Sequence, residues 1–209
     1  MGGYGQPGSC DVSDACDRLG IDAVRTGALR PLWPDCPPVS GRLVTVRLEP
    51  AAGAPLPELL DVLADARDRI VLVDLGGRVG VQCWGTVLAT AARHFGVLGA
   101  LVNGAARDVE GLRDLGVATY ARGVYPAAMR SRLGLVAVGE PVELDGSAVD
   151  PDSFAVADAS GIVFLPGDRA EEVLALAAGL RSREEEQLRA IAEGADPRIV
   201  LRRTHREQP

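Results

Sequence analysis

The stretch "ALVNGAARDVEG", residues 100–111, runs through apolar Ala100, Leu101 and Val102 to Asn103-Gly104, and then sets Arg107 beside Asp108. Two structures fit a fixed cation next to a carboxylate just past a buried strand. In one, Asp108 is the N-cap of a helix over "VEGLRDLG" and Arg107 its surface partner. In the other the pair is chemical machinery. Asp108 then supplies oxygen to a hard divalent cation, and Arg107 forks onto a carboxylate or a developing oxyanion. A second candidate lies upstream in "WGTVLATAARHFG". Gly85 precedes a predicted helix there, so the amides of Thr86, Val87 and Leu88 are its first free donors. Such an N-terminus favours a carboxylate or phosphate, and glycine admits a ligand close to the backbone. The parts suit a 2-oxo acid. Its carboxylate and keto oxygens chelate a metal, and cleavage next to the carbonyl leaves an enolate that metal and Arg107 stabilise.

Composition narrows the chemistry. All 22 basic residues are arginine, and the chain has no lysine. A Schiff base through a side-chain amine is excluded, as is a P-loop, so the metal route is the only aldolase route open. His94 lies in a helical pattern and His205 in a polar stretch, so a histidine-centred triad is not expected. Cys10, Cys16, Cys36 and Cys83 form no C-x-x-C pair and stand at no zinc spacing, which predicts free, buried thiols. "GGRVG" (76–80) lacks the G-x-G-x-x-G spacing of a dinucleotide loop. A net charge of −7 disfavours nucleic acid as a partner. No apolar run reaches the ~18 residues of a membrane span, and "MGGYGQPGSC" has neither the basic nor the apolar region of a signal peptide. The expectation is a cytoplasmic protein.

These residues need a scaffold. "DVSDACDRLG" (11–20) predicts a short helix ended by glycine, and the Pro- and Gly-rich "RTGALRPLWPDCPP" a loop. "GRLVTVRLEP" alternates as a strand. "PLPELLDVLADAR" has helical spacing, and "RIVLVDLGG" is apolar enough for a strand buried on both faces. Helix, strand, helix, strand follow in "GTVLATAARHFG", "VLGALVN", "DVEGLRDLG" and "VATYARG". Residues 133–165 are strand-rich, and "DRAEEVLALAAGLRSREEEQLRAIAEG" is a long charged helix. The alternation predicts an α/β sandwich, a central mixed sheet flanked by helices. One domain over 11–194 is expected, between a flexible N-terminal tail, 1–10, and a polar C-terminal tail, 195–209.

The segment from "GTVLATAARHFG" through "NGAARDVEGLRDLGVATYARGVYP" resembles the core of the family that contains the regulator of ribonuclease activity A and the 4-hydroxy-4-methyl-2-oxoglutarate aldolases. "DVSDACDRLG", "GRLVTVRLEP", "FAVADASGIVFLP" and the long C-terminal helix extend the resemblance over most of 11–194. It implies a homotrimer, or a homohexamer of two trimers, with sites between subunits. It implies that the Gly85-Thr86-Val87-Leu88 run binds the substrate carboxylate, that Arg107 binds substrate, and that Asp108 ligates Mg²⁺ or Mn²⁺. A glutamate from a neighbouring subunit's C-terminal helix would support the metal-bound waters, and Glu184 or Glu185 is the candidate. The implied function is a divalent-metal-dependent lyase for a small 2-oxo acid, by retro-aldol cleavage or oxaloacetate decarboxylation through a pyruvate enolate. Two alternatives stay open: a related metal enzyme with another carboxylated or keto substrate, and a non-catalytic protein-binding regulator. The chain departs from the aldolase pattern at Asn103, where aspartate is usual and where asparagine cannot act as a base. It departs also at "EPAAGAPLPE", which lacks the usual Gly-Asp, and at "DPDSF", which replaces a late Pro-Gly-Asp.

Overall fold

The computed structural model describes residues 6–51 and 56–201, and the backbone of the helical residues 202–206. Of the predicted tails, residues 1–5 and 207–209 lie outside the described residues. In chain order the first elements are α1 (Ser9–Leu19), β1 (Val24–Thr26), β2 (Arg30–Pro31), β3 (Val39–Pro50), α2 (Leu56–Ala64), β4 (Arg69–Asp74) and β5 (Gln82–Trp84). Then come α3 (Thr86–Phe95), β6 (Gly99–Ala106), α4 (Val109–Leu115), β7 (Ala118–Val124), β8 (Leu133–Val138) and the hairpin β9 (Val142–Leu144) and β10 (Ser147–Val149). The chain closes with β11 (Phe154–Asp158), β12 (Gly161–Leu165), α5 (Ala170–Ala192) and α6 (Pro197–Arg206).

Ten strands form one mixed sheet in the order β1-β12-β11-β3-β4-β6-β7-β2, with β8 added to β3 and β5 to β6. The strands β3, β4, β6 and β7 run parallel, joined by α2, α3 and α4. Such a sheet is buried on both faces, and alternate residues of β4 show it. Val71 and Val73 point into a cluster with Leu59, Leu63, Leu88 and Leu112 of the crossover helices. Ile70 and Leu72 point the other way, onto Tyr120, Phe164 and the β9–β10 hairpin. Helices α1 and α5 cover β11 and β12 through Val12, Val156, Val163 and Val173. The result is the predicted α/β sandwich, and no helix among the described residues is long and apolar enough to cross a membrane.

Several expectations change. The "RTGALRPLWPDCPP" loop contains the short edge strands β1 and β2, which pair with β12 and β7. The polar stretch 195–209, expected as a tail, carries α6. Asn103-Gly104 was expected to end its strand, but β6 continues through it to Ala106. The strand pays for this with an irregularity, a register shift against β7 between Val102 and Ala105. It can continue because β5, unrecognised in the sequence, adds to its last residues through the Gln82↔Ala105 and Trp84↔Ala106 pairs. The four cysteines are free, with Cys16 and Cys83 buried, Cys36 half-buried and Cys10 exposed. His94 is exposed and meets Phe95 edge-to-face, with ring centroids 5.1 Å apart.

Candidate active site at the ends of the parallel strands

The parallel strands β4 and β6 end on the same side, where ligands of open α/β sheets gather. Backbone bonds knit the loops there. Arg107 N donates to Trp84 O (2.9 Å), Tyr125 N to Ala106 O (2.9 Å) and Gln82 N to Ala127 O (3.1 Å). They bring the end of β6, the start of α3 and the 125–130 segment together.

Asp108 occupies the N-cap position of α4, yet its side chain makes no capping hydrogen bond to that helix. Its backbone lies in the left-handed region, φ 58° and ψ 46°, a conformation that costs a non-glycine residue about 1 kcal/mol and that Asp and Asn tolerate best. The turn directs the carboxylate to α3. Asp108 Oδ2 accepts from Thr86 N at 3.3 Å and lies 3.4 Å from Arg107 Nε. The second distance is an ion-pair contact without hydrogen-bond alignment, so the buried Nε of Arg107 has no acceptor. The carboxylate is 42% exposed, and Oδ1 has no protein partner among the described residues.

Gly85 makes this convergence possible. Its φ of −168° is extended backbone open to any residue, so the requirement is space. A Cβ there would lie 2.9 Å from Asp108 Oδ2 and 3.1 Å from Arg107 Cγ. A second tight approach, Gly111 against Thr86 Oγ1 (2.7 Å to an added Cβ), packs α4 onto the first turn of α3. The amides of Thr86, Val87 and Leu88 precede the first intrahelical bond, which Ala89 N donates to Gly85 O at 3.0 Å. Gly85, Val87, Leu88 and Arg107 line a cavity of about 630 Å³, with Leu56, Pro57, Gln82, Ala128, Met129 and Arg130. Most of that wall is apolar, and its charged side chains are Arg107 and Arg130. The cavity residues Gln82, Met129 and Arg130 were not foreseen. Gln82 sits in a strand too short for periodicity to reveal, and Arg130 in a Pro-containing loop without a motif.

Glu184 and Glu185 are not among the residues lining this cavity. They lie on α5, which packs on α1. Glu185 pairs with Arg181 at 3.1 Å, and Glu184 is exposed. Asn103 also stands apart. Its Nδ2 donates to Asp74 Oδ1 (2.6 Å) and to Glu143 O (3.3 Å), and its Oδ1 accepts from Arg122 Nε. Arg122 continues to Asp145 Oδ1 (2.7 Å), whose other oxygen accepts from the Thr26 hydroxyl (2.6 Å). Those bonds, the Thr26 hydroxyl first, hold the Asp145 carboxyl below the usual carboxylate range. Asn103 is thus a tie between neighbouring strand ends, where the register sets it opposite Asp74. An amide there can donate to that carboxylate, as a second carboxylate could not.

No group of three or more His, Cys, Asp or Glu side chains able to hold a metal exists among the described residues. The donor beside the cavity is one carboxylate, Asp108, which does not itself line it but pairs with the lining residue Arg107. It fits Mg²⁺ or Mn²⁺, ions that take few protein ligands and fill the remaining positions with water and substrate oxygens.

Known proteins resemble the chain in sequence and in fold. The chain is 27% identical over 187 residues, 90% of its own length and 85% of the other's, to a putative 4-hydroxy-4-methyl-2-oxoglutarate aldolase of Halalkalibacterium halodurans. It is 26% identical over 190 residues to protein DlpA of Legionella pneumophila, where it spans 90% of itself but only 31% of that longer protein. A crystal structure of an uncharacterised protein from Pseudomonas syringae superposes with a TM-score of 0.81 at 25% identity, covering 93% of this chain and 92% of that one. Residues 9–164 match the family described as RraA-like: Aldolase/RraA, and the chain belongs to that family.

Proposed function

We propose that the protein is a divalent-metal-dependent lyase acting on a small 2-oxo acid, by retro-aldol cleavage of a 4-hydroxy-2-oxo acid, by oxaloacetate decarboxylation, or both. The observation that carries the reading is the convergence on Gly85. With no Cβ at Gly85, the Asp108 carboxylate and the Arg107 side chain close on the first turn of α3, beside the largely apolar cavity that Gly85 and Arg107 line.

Asp108, with waters and the substrate's own oxygens, would hold Mg²⁺ or Mn²⁺, which when bound draws electrons from the 2-oxo group. The amides of Val87 and Leu88 would bind the substrate carboxylate, the charge that a helix N-terminus favours, with Thr86 N joining them only if it leaves Asp108 Oδ2. Arg107 lines the same cavity, and its positive charge would act on the keto oxygen as negative charge develops there. Retro-aldol cleavage removes the hydroxyl proton and breaks the bond between the third and fourth carbons. The electron pair passes onto the keto oxygen, the fourth carbon leaves as the carbonyl carbon of a second oxo acid, and a proton returned to the third carbon gives pyruvate. The wall around the site is largely apolar, with Leu56, Val87, Leu88 and Met129. In this reading the chains form trimers or hexamers, and a glutamate from a neighbouring subunit's C-terminal helix, Glu184 or Glu185, would support the metal-bound waters.

The test is pyruvate release from oxaloacetate and from 4-hydroxy-2-oxoglutarate, with Mg²⁺ and with EDTA. Metal-dependent release that is lost in Asp108→Ala supports the reading. Release that survives EDTA or that substitution overturns it, as does a wild type inactive on both acids.

A further inference from the structure

Gln82 is 3% exposed and is a lining residue of the cavity that Gly85 and Arg107 also line. Its oxygen is buried and has no donor, and the side chain makes no hydrogen bond among the described residues. Its backbone is fixed at both ends. Gln82 N donates to Ala127 O at 3.1 Å, and the residue pairs with Ala105 of β6. A carboxamide held on a strand, buried and left without a partner, is destabilising unless something else binds it. The remaining cavity polar groups are the Arg107 and Arg130 guanidinium groups, and the rest of the lining is apolar or glycine. Gln82 is therefore the neutral hydrogen-bonding side chain of that wall.

We propose that Gln82 is a specificity-determining residue that hydrogen-bonds an uncharged hydroxyl group of the substrate, the one carried by the carbon two beyond the keto carbon. The inference rests on the lyase reading of the site. A retro-aldol substrate must carry a hydroxyl at that carbon, and its head is already matched by Arg107, Asp108 and the α3 amides. A hydroxyl both donates and accepts, so it satisfies a carboxamide whichever end turns to the cavity. A carboxamide neither gives up nor takes a proton near neutral pH. Gln82 thus selects the hydroxylated acid and takes no part in the proton transfers. Such selection is strong where the site's polar group would otherwise stay buried and unpaired.

The test uses two acids that cannot be cleaved, because the keto group is reduced in both. They are 2,4-dihydroxyglutarate and 2-hydroxyglutarate, which differ only in the hydroxyl in question. Binding to the full chain is followed calorimetrically with Mg²⁺ present, for wild type and Gln82→Met, a substitution that keeps length and removes the polar end. The wild type is expected to prefer the dihydroxy acid by about tenfold or more, the worth of one good hydrogen bond. In Gln82→Met the preference falls to within about twofold. The variant's melting temperature holds or rises, since an unpaired polar group has been removed from the free protein. A wild type that binds neither acid or shows no preference overturns the proposal, as does a variant that keeps the preference. Because neither acid is turned over, a protein that shows the preference but releases no pyruvate disproves the lyase reading and leaves the Gln82 contact standing.

Discussion

Asn103→Asp would put a second carboxylate where the amide now donates to Asp74, at the family's usual residue but in this chain's own surroundings. The two side chains touch at 2.6 Å, and the residues are 1% and 5% exposed. Two full negative charges at that separation repel by about 6 kcal/mol at an effective dielectric near 20. Folding can avoid this by taking up a proton. Protonating an ordinary carboxyl at pH 7 costs about 4 kcal/mol, roughly three pKa units at 1.36 kcal/mol each. That route is cheaper, so the folded pair shares one proton. The Arg122 contact gains charge and offsets about 1 kcal/mol. The net loss is then about 3 kcal/mol at pH 7.

The sign of the pH dependence follows from the proton taken up. The folded variant holds a proton that the unfolded chain has released, so its pair titrates above the unfolded carboxylate range. Stability is then lost as pH rises from that range toward the raised folded value, by about 1.4 kcal/mol per unit. At pH 5 the penalty should shrink to within about 1 kcal/mol. Urea midpoints at pH 5 and pH 7, for wild type and variant, measure it. The exchange Asp74→Asn with Asn103→Asp restores one donor and one carboxylate, and should recover most of the loss, a coupling of about 2 kcal/mol or more. A penalty equal at both pH values would mean that shape and not charge is responsible. A negligible penalty at pH 7 would mean that water reaches the pair, and either result refutes the reasoning.

Other substitutions probe the site and its surroundings. Gly85→Ala puts a methyl 2.9 Å from Asp108 Oδ2 and 3.1 Å from Arg107 Cγ. Both obstacles are side-chain atoms and the backbone is extended, so the fold should survive while pyruvate release falls about a hundredfold; kcat/KM within threefold of wild type would contradict the convergence. Asp108→Asn keeps a residue suited to the left-handed turn but removes the charge. Its melting temperature should stay within a few degrees while metal-dependent turnover disappears, and turnover near the wild-type rate would remove Asp108 from the metal site. Thr26→Val removes the main cause of the lowered Asp145 pKa. The depressed carboxyl contributes stability above the unfolded carboxylate range, and this is lost as pH falls through its folded value. The variant's Asp145 should therefore titrate higher by carbon NMR, and an unmoved titration would exclude that hydroxyl as the cause. Burial pushes the Cys83 thiol up to about 12, while Cys10 is exposed. Cys10→Ser should remove the fastest phase of thiol labelling, and Cys83 should react only on unfolding.

How much of this was legible in the sequence depended on the range of the signal. β4 was readable because a strand buried on both faces is an apolar run, and "RIVLVD" is one whatever surrounds it. α3 was readable from its apolar spacing and its two glycines, and with it the amides of Thr86, Val87 and Leu88. Arg107 and Asp108 were readable as a pair, but where Asp108 points was not. Both sequence readings placed it at the start of α4, and it does stand there. Its side chain turns away because residue 108 adopts a left-handed conformation and because Gly85, 23 residues earlier, leaves room. The same limit hid Gln82. Three residues of strand carry no periodicity, and β5 exists only because β6 offers an edge beyond Asn103. That extension in turn overruled the usual meaning of Asn-Gly. The turn preference of the dipeptide is a local one, worth little against a ladder with partners on both sides and an amide already bonded to Asp74 and Arg122. Asn103 was marked in the sequence as a departure needing a chemical explanation. Its explanation is a neighbour on the next strand, which only the register could supply.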